Sequence, residues 1–345
     1  MKTKILWLFL LALPLVACGS DGESEFVSSS GNGNSNTSDT GNENQGTQGT
    51  YDELINETSA IPSAYEEEAG QRGEVVRLDY DTQDYADGTG AARTNTAYVY
   101  LPFGYGEDSH TYYNILYLVH GHYGTASTYF ETENGLLRKL LDHMIENGEI
   151  DPLIVVTPSY NYGTPTSNYV DADKYCEALP QELLHDLMPL VESRYRTYAA
   201  TPDADGFLTS REHRAVGGFS MGAVTTWYAL EQGIDYFKYF LPMSADCWSL
   251  GAFAGMNRPD ETAAYLAGII RQSDYKGTGF YIWAASGTND SAYRETLVQI
   301  EAMARLNEVF DLQNMTFHER QGARHEYRPT MEYIYNALPF FFPKQ

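Results

Sequence analysis

Short apolar runs alternate along the chain with longer segments in which apolar positions recur every three or four residues. The first two runs have alternating apolar positions, which is typical of half-buried strands. Most later runs are apolar almost throughout, which is typical of strands buried on both faces of a parallel sheet. The pattern predicts strands at residues 74–81, 95–101, 115–119, 153–157, 214–219, 239–244, 280–285 and 315–320.

The intervening segments follow the helical period and predict helices. These helices are predicted at residues 136–147, 179–195, 223–232, 261–272, 293–310 and 331–341. The acidic stretch at 51–72 is a transition that we expect to be partly helical. Because strands and helices alternate and no internal repeat is evident, the sequence predicts an α/β fold with a mostly parallel central sheet flanked by helices.

The first eighteen residues have the pattern of a bacterial export signal. Lys2 and Lys4 precede an apolar run at 5–16, which is too short to remain as a membrane-spanning helix. The stretch at 15–19, Leu-Val-Ala-Cys-Gly, is similar to a lipobox, which would make Cys18 the lipidated first residue of the mature protein. The alternative is an ordinary cleaved signal with an incidental cysteine. We expect an exported domain outside the cytoplasm, held to a bacterial membrane only by its lipid.

Residues 19–50 consist mainly of Gly, Ser, Asn, Thr and acidic residues, with almost no large apolar side chain. Such a composition buries too little surface to fold, so we predict a flexible linker with a reach on the order of 30 Å. The remaining residues, 51–345, have a length that suits one large domain.

The chain is strongly acidic. It has 22 Lys and Arg against 47 Asp and Glu, which gives a net charge of -25. This balance excludes nucleic acid and anionic lipid surfaces as electrostatic partners, and it leaves neutral substrates open.

A candidate nucleophile follows the predicted strand at 214–219. Gly218 and Gly222 flank Ser220 in the pattern G-x-S-x-G, and a predicted helix follows at once. A serine between a strand and a helix, with glycines that permit close backbone contact, is the pattern of a nucleophile elbow. The motif is short, so the strand and helix on either side carry the inference.

Several motifs together resemble the esterase D-like branch of the α/β-hydrolases. They occur in the family's order, from about residue 72 to 342. The matching segments are 118–121 (LVHG), 211–222 (REHRAVGGFSMG), 242–248 (PMSADCW), 286–290 (SGTND) and 322–325 (GARH). That branch includes feruloyl and acetyl-xylan esterases of carbohydrate esterase family one and, more distantly, mycolyltransferases. The resemblance implies an α/β-hydrolase fold and ester cleavage. Ala323 and Arg324 depart from the family pattern, which usually has glycine there.

A serine nucleophile needs a base to take its proton. In α/β-hydrolases the chain order is serine, acid, histidine, and only His318 and His325 follow Ser220. His318 lies within a predicted strand, so its side chain belongs to a sheet face. His325 lies in the loop after that strand, at the carboxyl edge where α/β folds collect their chemistry. We therefore predict His325 as the base.

Two aspartates are candidates for the acid that orients the base. Asp290 follows the strand at 280–285, and Asp246 follows the preceding strand. Position and the resemblance both favour Asp290, with Asp246 as the alternative. Asp290 can also cap the helix that begins near Ala292.

The resemblance also implies where the oxyanion of the reaction would bind. One donor is the backbone N–H of Met221 at the start of a helix, and the other is the N–H of His122 in the loop at 120–124. We expect His120 to be a packed, hydrogen-bonded residue. Trp248 is a candidate substrate contact because it lies beside the catalytic edge. Tyr160 and Tyr162, in the loop after the fourth predicted strand, are weaker candidates for ring stacking.

No metal site is predicted. His120 and His122 lack a third ligand at suitable spacing, and the stretch at 201–212 imitates a calcium loop only in part because Thr201 occupies the first ligand position. Cys176 and Cys247 are expected to be either a disulfide or two buried thiols.

The sequence therefore predicts a cofactor-free serine esterase with Ser220, His325 and Asp290 as its triad. The resemblance implies feruloyl or acetyl esters on plant cell-wall carbohydrate such as xylan as its substrates. Two alternatives stay open: an acyltransferase of the same fold, and a non-catalytic glycan-binding lipoprotein.

Overall fold

A computed structural model of the protein describes residues 53–342. Within this range, nine strands form one sheet in the order β1-β9-β8-β7-β6-β4-β5-β3-β2. Strand β3 pairs antiparallel with both β2 and β5, and every other pairing is parallel. The strands are β1 (Ile55–Glu57), β2 (Glu74–Gln83), β3 (Ala92–Leu101), β4 (Asn114–Val119), β5 (Leu153–Thr157), β6 (Arg214–Phe219), β7 (Tyr239–Met243), β8 (Tyr281–Gly287) and β9 (Met315–Arg320).

Helices cover both faces of this sheet. They are α1 (Thr128–Glu131), α2 (Leu136–Glu146), α3 (Asp173–Glu182), α4 (Met188–Arg194), α5 (Ala204–Thr209), α6 (Met221–Gly233), α7 (Ala254–Asn257), α8 (Pro259–Gln272), α9 (Tyr293–Ala304) and α10 (Tyr327–Ala337). Helices α2 and α10 pack in one hydrophobic core, and α3, α6, α8 and α9 pack in the other. The side chains of β4 alternate between the two, since Tyr117 lies in one core and Leu116 in the other. This arrangement is an α/β-hydrolase fold with a mostly parallel central sheet, as predicted.

The boundaries of several elements differ from the predictions. The helix predicted at 179–195 begins at Asp173 as α3 and continues through the π-helical segment Leu183–Leu187 into α4. The last helix begins at Tyr327 rather than at residue 331, and the helix predicted to reach residue 310 ends at Ala304. Each predicted boundary rested on local periodicity alone, which tertiary packing overrides at element ends.

The expectation for residues 51–72 was incomplete. The described part of this stretch contains strand β1 and one 3₁₀ turn, Ser63–Glu66. Strand β1 pairs in parallel with β9, and Ile55 lies opposite Phe317. A three-residue strand has too little sequence to show a period, and its partner lies far along the chain. Sequence reasoning therefore missed it.

The two cysteines of the domain are separate buried thiols, so the disulfide alternative is wrong. Cys176 lies in α3 and Cys247 follows β7, and both belong to the same hydrophobic core. Burial raises the pKa of the Cys247 thiol to about 12, so this thiol is inert at neutral pH.

The stretch that partly imitates a calcium loop forms a capped helix. The carboxylate of Asp203 accepts a hydrogen bond from the backbone N–H of Gly206 at 3.0 Å and caps α5. No helix within residues 53–342 combines the length and apolarity needed to cross a bilayer. The predicted signal at 1–18, the linker at 19–50 and Cys18 lie outside the described residues.

Candidate active site

Ser220 lies in a sharp turn between β6 and α6. Its backbone has φ 56° and ψ −119°, outside the regions that residues other than glycine ordinarily adopt. The turn brings the start of α6 against the end of β4, and a Cβ placed on Gly222 would lie 2.1 Å from the carbonyl oxygen of Val119. Only glycine fits there, which explains why the predicted elbow has this sequence.

The structure brings the three predicted side chains together. His325 Nε2 lies 2.9 Å from Ser220 Oγ, and His325 Nδ1 lies 2.7 Å from Asp290 Oδ1. Asp290 follows β8, and His325 lies in the loop between β9 and α10. The Asp290 side chain is fully buried and also accepts a hydrogen bond from the backbone N–H of Ala292 at 2.7 Å. The N-cap residue of α9 is Ala292 and has no side-chain cap, so Asp290 holds the turn before the helix rather than capping the helix itself. The carboxylate has a fixed orientation toward the imidazole as a result.

Asp246 does not contact His325. Its carboxylate accepts a hydrogen bond from Trp248 Nε1 at 2.7 Å and another from the backbone N–H of Met256 at 2.8 Å. Burial raises the pKa of this carboxyl to about 6, although both hydrogen bonds oppose the shift. His318 is buried and stacks on Trp283 with ring centroids 3.8 Å apart, so it occupies a sheet face as predicted. The geometry therefore favours Asp290 and His325 over their alternatives.

The loop at 120–124 lies directly against Ser220. A Cβ on Gly121 would lie 3.4 Å from the Cβ of Ser220. The hydroxyl of Tyr327 accepts a hydrogen bond from the Gly121 N–H at 2.9 Å and holds this loop in place. Met221 is the first residue of α6, where backbone N–H groups have no partner inside the helix. The residues of both predicted donors, Met221 and His122, line the same cavity as the serine.

His120 holds this loop in place through hydrogen bonds of its imidazole. Its imidazole contacts Ser159 Oγ at 2.8 Å through Nε2 and the Gly121 carbonyl at 2.7 Å through Nδ1. Burial lowers the pKa of His120 to about 4, so the ring is neutral at neutral pH. The expectation of a packed, hydrogen-bonded residue is confirmed. Tyr160 is also buried here, and its hydroxyl donates to the Gly121 carbonyl at 3.2 Å.

A cavity of about 690 Å³ opens above Ser220 and His325. Its wall is mainly apolar and includes the aromatic rings of Tyr123, Tyr169, Phe219, Trp248, Phe253 and Tyr327. Trp248 is buried, with its ring centroid 4.7 Å from that of Phe253, so the predicted position beside the catalytic edge is correct. Tyr160 and Tyr162 do not line this cavity. A smaller cavity of about 260 Å³, near Asn114 and Asp151, contains none of the candidate catalytic side chains.

Sequence reasoning missed Glu295, which also lines the larger cavity. Burial, together with the negative charge of Asp246, raises the pKa of its carboxyl to about 7, and His325 partly opposes this shift. An acidic residue in the first turn of a helix is common because it complements the helix dipole. Nothing in the local sequence therefore distinguished Glu295 from an ordinary surface acid.

The comparisons with known proteins agree with this geometry. The esterase family model matches residues 90–335. Endo-1,4-beta-xylanase Y of Acetivibrio thermocellus is 37% identical over 286 residues, which cover 81% of this chain and 24% of that protein. An endo-1,4-beta-xylanase/feruloyl esterase of Xylanibacter ruminicola is 31% identical over 161 residues, which cover 45% of this chain and 20% of that protein. The chain thus spans at most about a quarter of the length of these curated relatives.

The fold is also similar to solved structures of esterases. A mutant of the feruloyl esterase module from Clostridium thermocellum, solved with sinapinate, is 36% identical and superposes with a TM-score of 0.73. The alignment covers 84% of this chain and 95% of that module. A ferulic acid esterase of family CE1 from Anaeromyces mucronatus is 20% identical with a TM-score of 0.60, covering 83% of this chain and 98% of that one, and shows a shared fold. The chain belongs to the esterase family of α/β-hydrolases.

Proposed function

We propose that this protein is an exported serine esterase that hydrolyses feruloyl or acetyl esters on plant cell-wall carbohydrate such as xylan. One observation carries the proposal: the chain of contacts from Ser220 Oγ through His325 to Asp290, with separations of 2.9 Å and 2.7 Å. These distances suit proton transfer between a nucleophile, a base and an orienting acid. The names of the relatives, which include xylanases and feruloyl esterases, support a feruloyl ester and xylan as the substrate.

In the first half of the proposed reaction, Ser220 Oγ attacks the carbonyl carbon of the ester. His325 Nε2 takes the hydroxyl proton, and the Asp290 carboxylate stabilises the imidazolium that forms. The negative charge develops on the former carbonyl oxygen. The backbone N–H groups of Met221 and His122 donate hydrogen bonds to this oxygen and lower the barrier.

The tetrahedral intermediate then collapses. The bond between the carbonyl carbon and the sugar oxygen breaks, and His325 returns its proton to that oxygen so that the alcohol leaves neutral. The acyl group remains as an ester on Ser220 Oγ. In the second half, His325 removes a proton from water as the water oxygen attacks the acyl carbon. The bond between that carbon and Ser220 Oγ then breaks, and His325 returns the proton to Oγ, which releases the acid and restores the serine.

The shape of the cavity supports an aromatic acyl group. Trp248, Phe253 and Tyr169 provide flat apolar surfaces beside Ser220, and such rings favour offset or edge contacts with another ring. A net charge of -25 does not oppose a neutral ester, whereas it would repel a polyanionic substrate. We further propose that Cys18 carries a lipid that tethers the domain outside the cytoplasm through residues 19–50.

Replacing Ser220 with alanine tests the mechanism. The wild-type protein is expected to react with a fluorophosphonate probe and to release acid from methyl ferulate, acetylated xylan or nitrophenyl acetate. Ser220→Ala should abolish labelling and reduce hydrolysis by about 10⁴-fold or more, because the attacking oxygen is lost. Mass spectrometry of the labelled protein would locate the adduct.

Ser249→Ala provides a control that removes a half-buried serine next to Trp248 but outside the cavity lining. This variant should retain labelling and turnover. Hydrolysis that survives in Ser220→Ala would rule out the proposed nucleophile. A wild-type protein that cleaves none of the three esters would rule out the proposed activity itself.

A further inference from the structure

The imidazole of His122 has no hydrogen-bond partner among the described residues. Both Nδ1 and Nε2 are buried without one, and the whole residue is only 8% exposed. The ring lies in the wall of the large cavity, beside the candidate catalytic groups. A buried polar group with no partner destabilises the folded protein, so its presence requires a physical reason.

The neighbours of this ring are mainly aromatic. The centroid of His122 lies 4.4 Å from that of Tyr123 and 6.3 Å from that of Tyr169, and both contacts are edge-on. Burial lowers the pKa of His122. The backbone of Thr166, which lies near the ring without meeting hydrogen-bond geometry, opposes this only in part. The ring is therefore neutral at neutral pH, with one N–H donor and one acceptor nitrogen.

A hydroxyl is the chemical group that matches such a ring. It can donate to the acceptor nitrogen or accept from the N–H, and it carries no charge that a neutral ring would have to balance. A carboxylate would bind this ring less strongly than a hydroxyl, because the ring is not cationic and Glu295 places an acid in the same cavity.

The proposed esterase reaction uses only the backbone N–H of His122. The side chain of the same residue is within a few bonds of that N–H, and so it lies close to the groups attached to the ester carbonyl. We propose that the His122 imidazole forms a hydrogen bond with a hydroxyl of the bound ester and thereby selects hydroxylated substrates. This inference rests on the proposed function. The hydroxyl has two sources, the phenol of an aromatic acyl group or the sugar.

Two substitutions separate hydrogen bonding from packing. His122→Phe keeps a flat ring against Tyr123 and Tyr169 but removes both nitrogens. His122→Gln restores one donor and one acceptor on a flexible side chain. Both substitutions retain the backbone N–H that the proposed oxyanion site uses.

Four esters identify the hydroxyl. Methyl cinnamate has no hydroxyl, methyl 4-hydroxycinnamate has only a phenol, cinnamoyl arabinose has only sugar hydroxyls, and feruloyl arabinose has both. His122→Phe is expected to lower kcat/KM by about tenfold or more on esters with the recognised hydroxyl, because a site built for a hydrogen bond loses its discrimination without it. Any loss on methyl cinnamate reports disturbance of the backbone N–H of the same residue, so the tenfold loss is measured relative to it. His122→Gln should recover part of that relative loss.

The pattern over the four esters decides the inference. A selective loss on the phenolic pair assigns the contact to the acyl group, and a selective loss on the sugar pair assigns it to the carbohydrate. An equal loss on all four, or no loss on any, would overturn it. His110→Phe is the matched control, since His110 is exposed in the loop before β4, at the opposite end of that strand, and should behave as wild type. Failure of the wild type on every ester would contradict the proposed function instead.

Discussion

Ser220 occupies a backbone conformation with positive φ that costs free energy for any residue with a Cβ. The surrounding structure maintains it, because its N–H donates to the carbonyl of Met243 at 2.9 Å and both flanking elements are buried. Several acidic side chains are also buried. Glu182 is 2% exposed, and its Oε1 accepts hydrogen bonds from the Tyr80 hydroxyl at 2.6 Å and from Asn95 Nδ2 at 2.7 Å.

The stability of the protein should depend on pH through Glu182. Burial raises the pKa of this carboxyl from 4.5 to about 7, although both hydrogen bonds oppose the shift. Because the folded pKa lies above the unfolded one, the stabilisation from the neutral form is complete below pH 4.5 and is lost as the pH rises through 7. Glu182→Gln stays neutral. Relative to wild type, its free energy of unfolding should therefore rise by up to about 3 kcal/mol between mildly acidic and mildly alkaline pH.

Urea unfolding at the two ends of this pH range measures the effect. The amide introduced by the substitution also changes the local hydrogen bonds, but that change contributes about equally at both pH values. The change with pH in the difference between variant and wild type therefore reports the ionisation of Glu182. Glu57→Gln, at an exposed position in β1, is the control and should show no such difference. The prediction would be contradicted if the difference in free energy of unfolding between Glu182→Gln and wild type were the same at both pH values.

Three elements converge at the site: β4, β6 and α6. Strand β6 pairs with β4, with Gly218 opposite Val119, and α6 begins immediately after Ser220. The backbone of Gly222 lies so close to the end of β4 that an added Cβ would be 2.1 Å from the Val119 carbonyl oxygen. The same contact positions the start of the loop at 120–124. Packing of α6 on β4 therefore determines where the loop meets Ser220.

Gly222→Ala should disturb both stability and turnover. The added methyl group forces β4 and α6 apart, which should lower the free energy of unfolding by about 1–3 kcal/mol. The displaced loop should also lower kcat/KM on every ester, regardless of its hydroxyl groups. Chemical unfolding and steady-state kinetics measure the two effects.

Gly268→Ala provides a control in helix α8, where an added Cβ meets no atom within 4 Å. This substitution should leave turnover unchanged and should stabilise the helix by up to about 1 kcal/mol, because alanine has the higher helix propensity. If Gly222→Ala and Gly268→Ala had the same free energy of unfolding and the same turnover, close packing would not require glycine at position 222.

At the scale of the whole molecule, the segments that follow six different strands build the cavity. Residues that follow β4, β5, β6, β7, β8 and β9 line it, including His122, Tyr169, Ser220, Trp248 and His325. This is the carboxyl edge of the parallel part of the sheet, where α/β folds collect their binding groups. The proposed lipid attachment at Cys18 lies outside the described residues.

Substituting Cys18 tests the proposed attachment. In bacterial cells that express the full chain, the wild-type protein should partition with membranes and into a detergent phase, because acyl chains bury their methylene groups in lipid. Cys18→Ser should move the protein to the aqueous phase or leave it unprocessed, with esterase activity of the domain retained. Ser28→Ala, within the linker, should behave as wild type. Aqueous partitioning of the wild-type protein would contradict the lipid anchor.

The sequence by itself determined the fold class and the candidate nucleophile and base. Hydrophobic periodicity is a local property, and so is the strand, turn and helix around Ser220. The position of His325 after the last long strand then followed from the order of elements. These features can be predicted from the sequence because they depend on residues that are neighbours along the chain. The shared edge follows from the general rule that parallel strands place their carboxyl ends together.

Only the tertiary structure decided between alternatives that the sequence left open. It brought Asp290 rather than Asp246 to His325 and kept Cys176 and Cys247 as separate thiols. It also paired β1 with β9 and left the His122 ring without a partner in the cavity. Each of these outcomes depends on distances between segments that are far apart in sequence. Such distances arise only when the whole core packs.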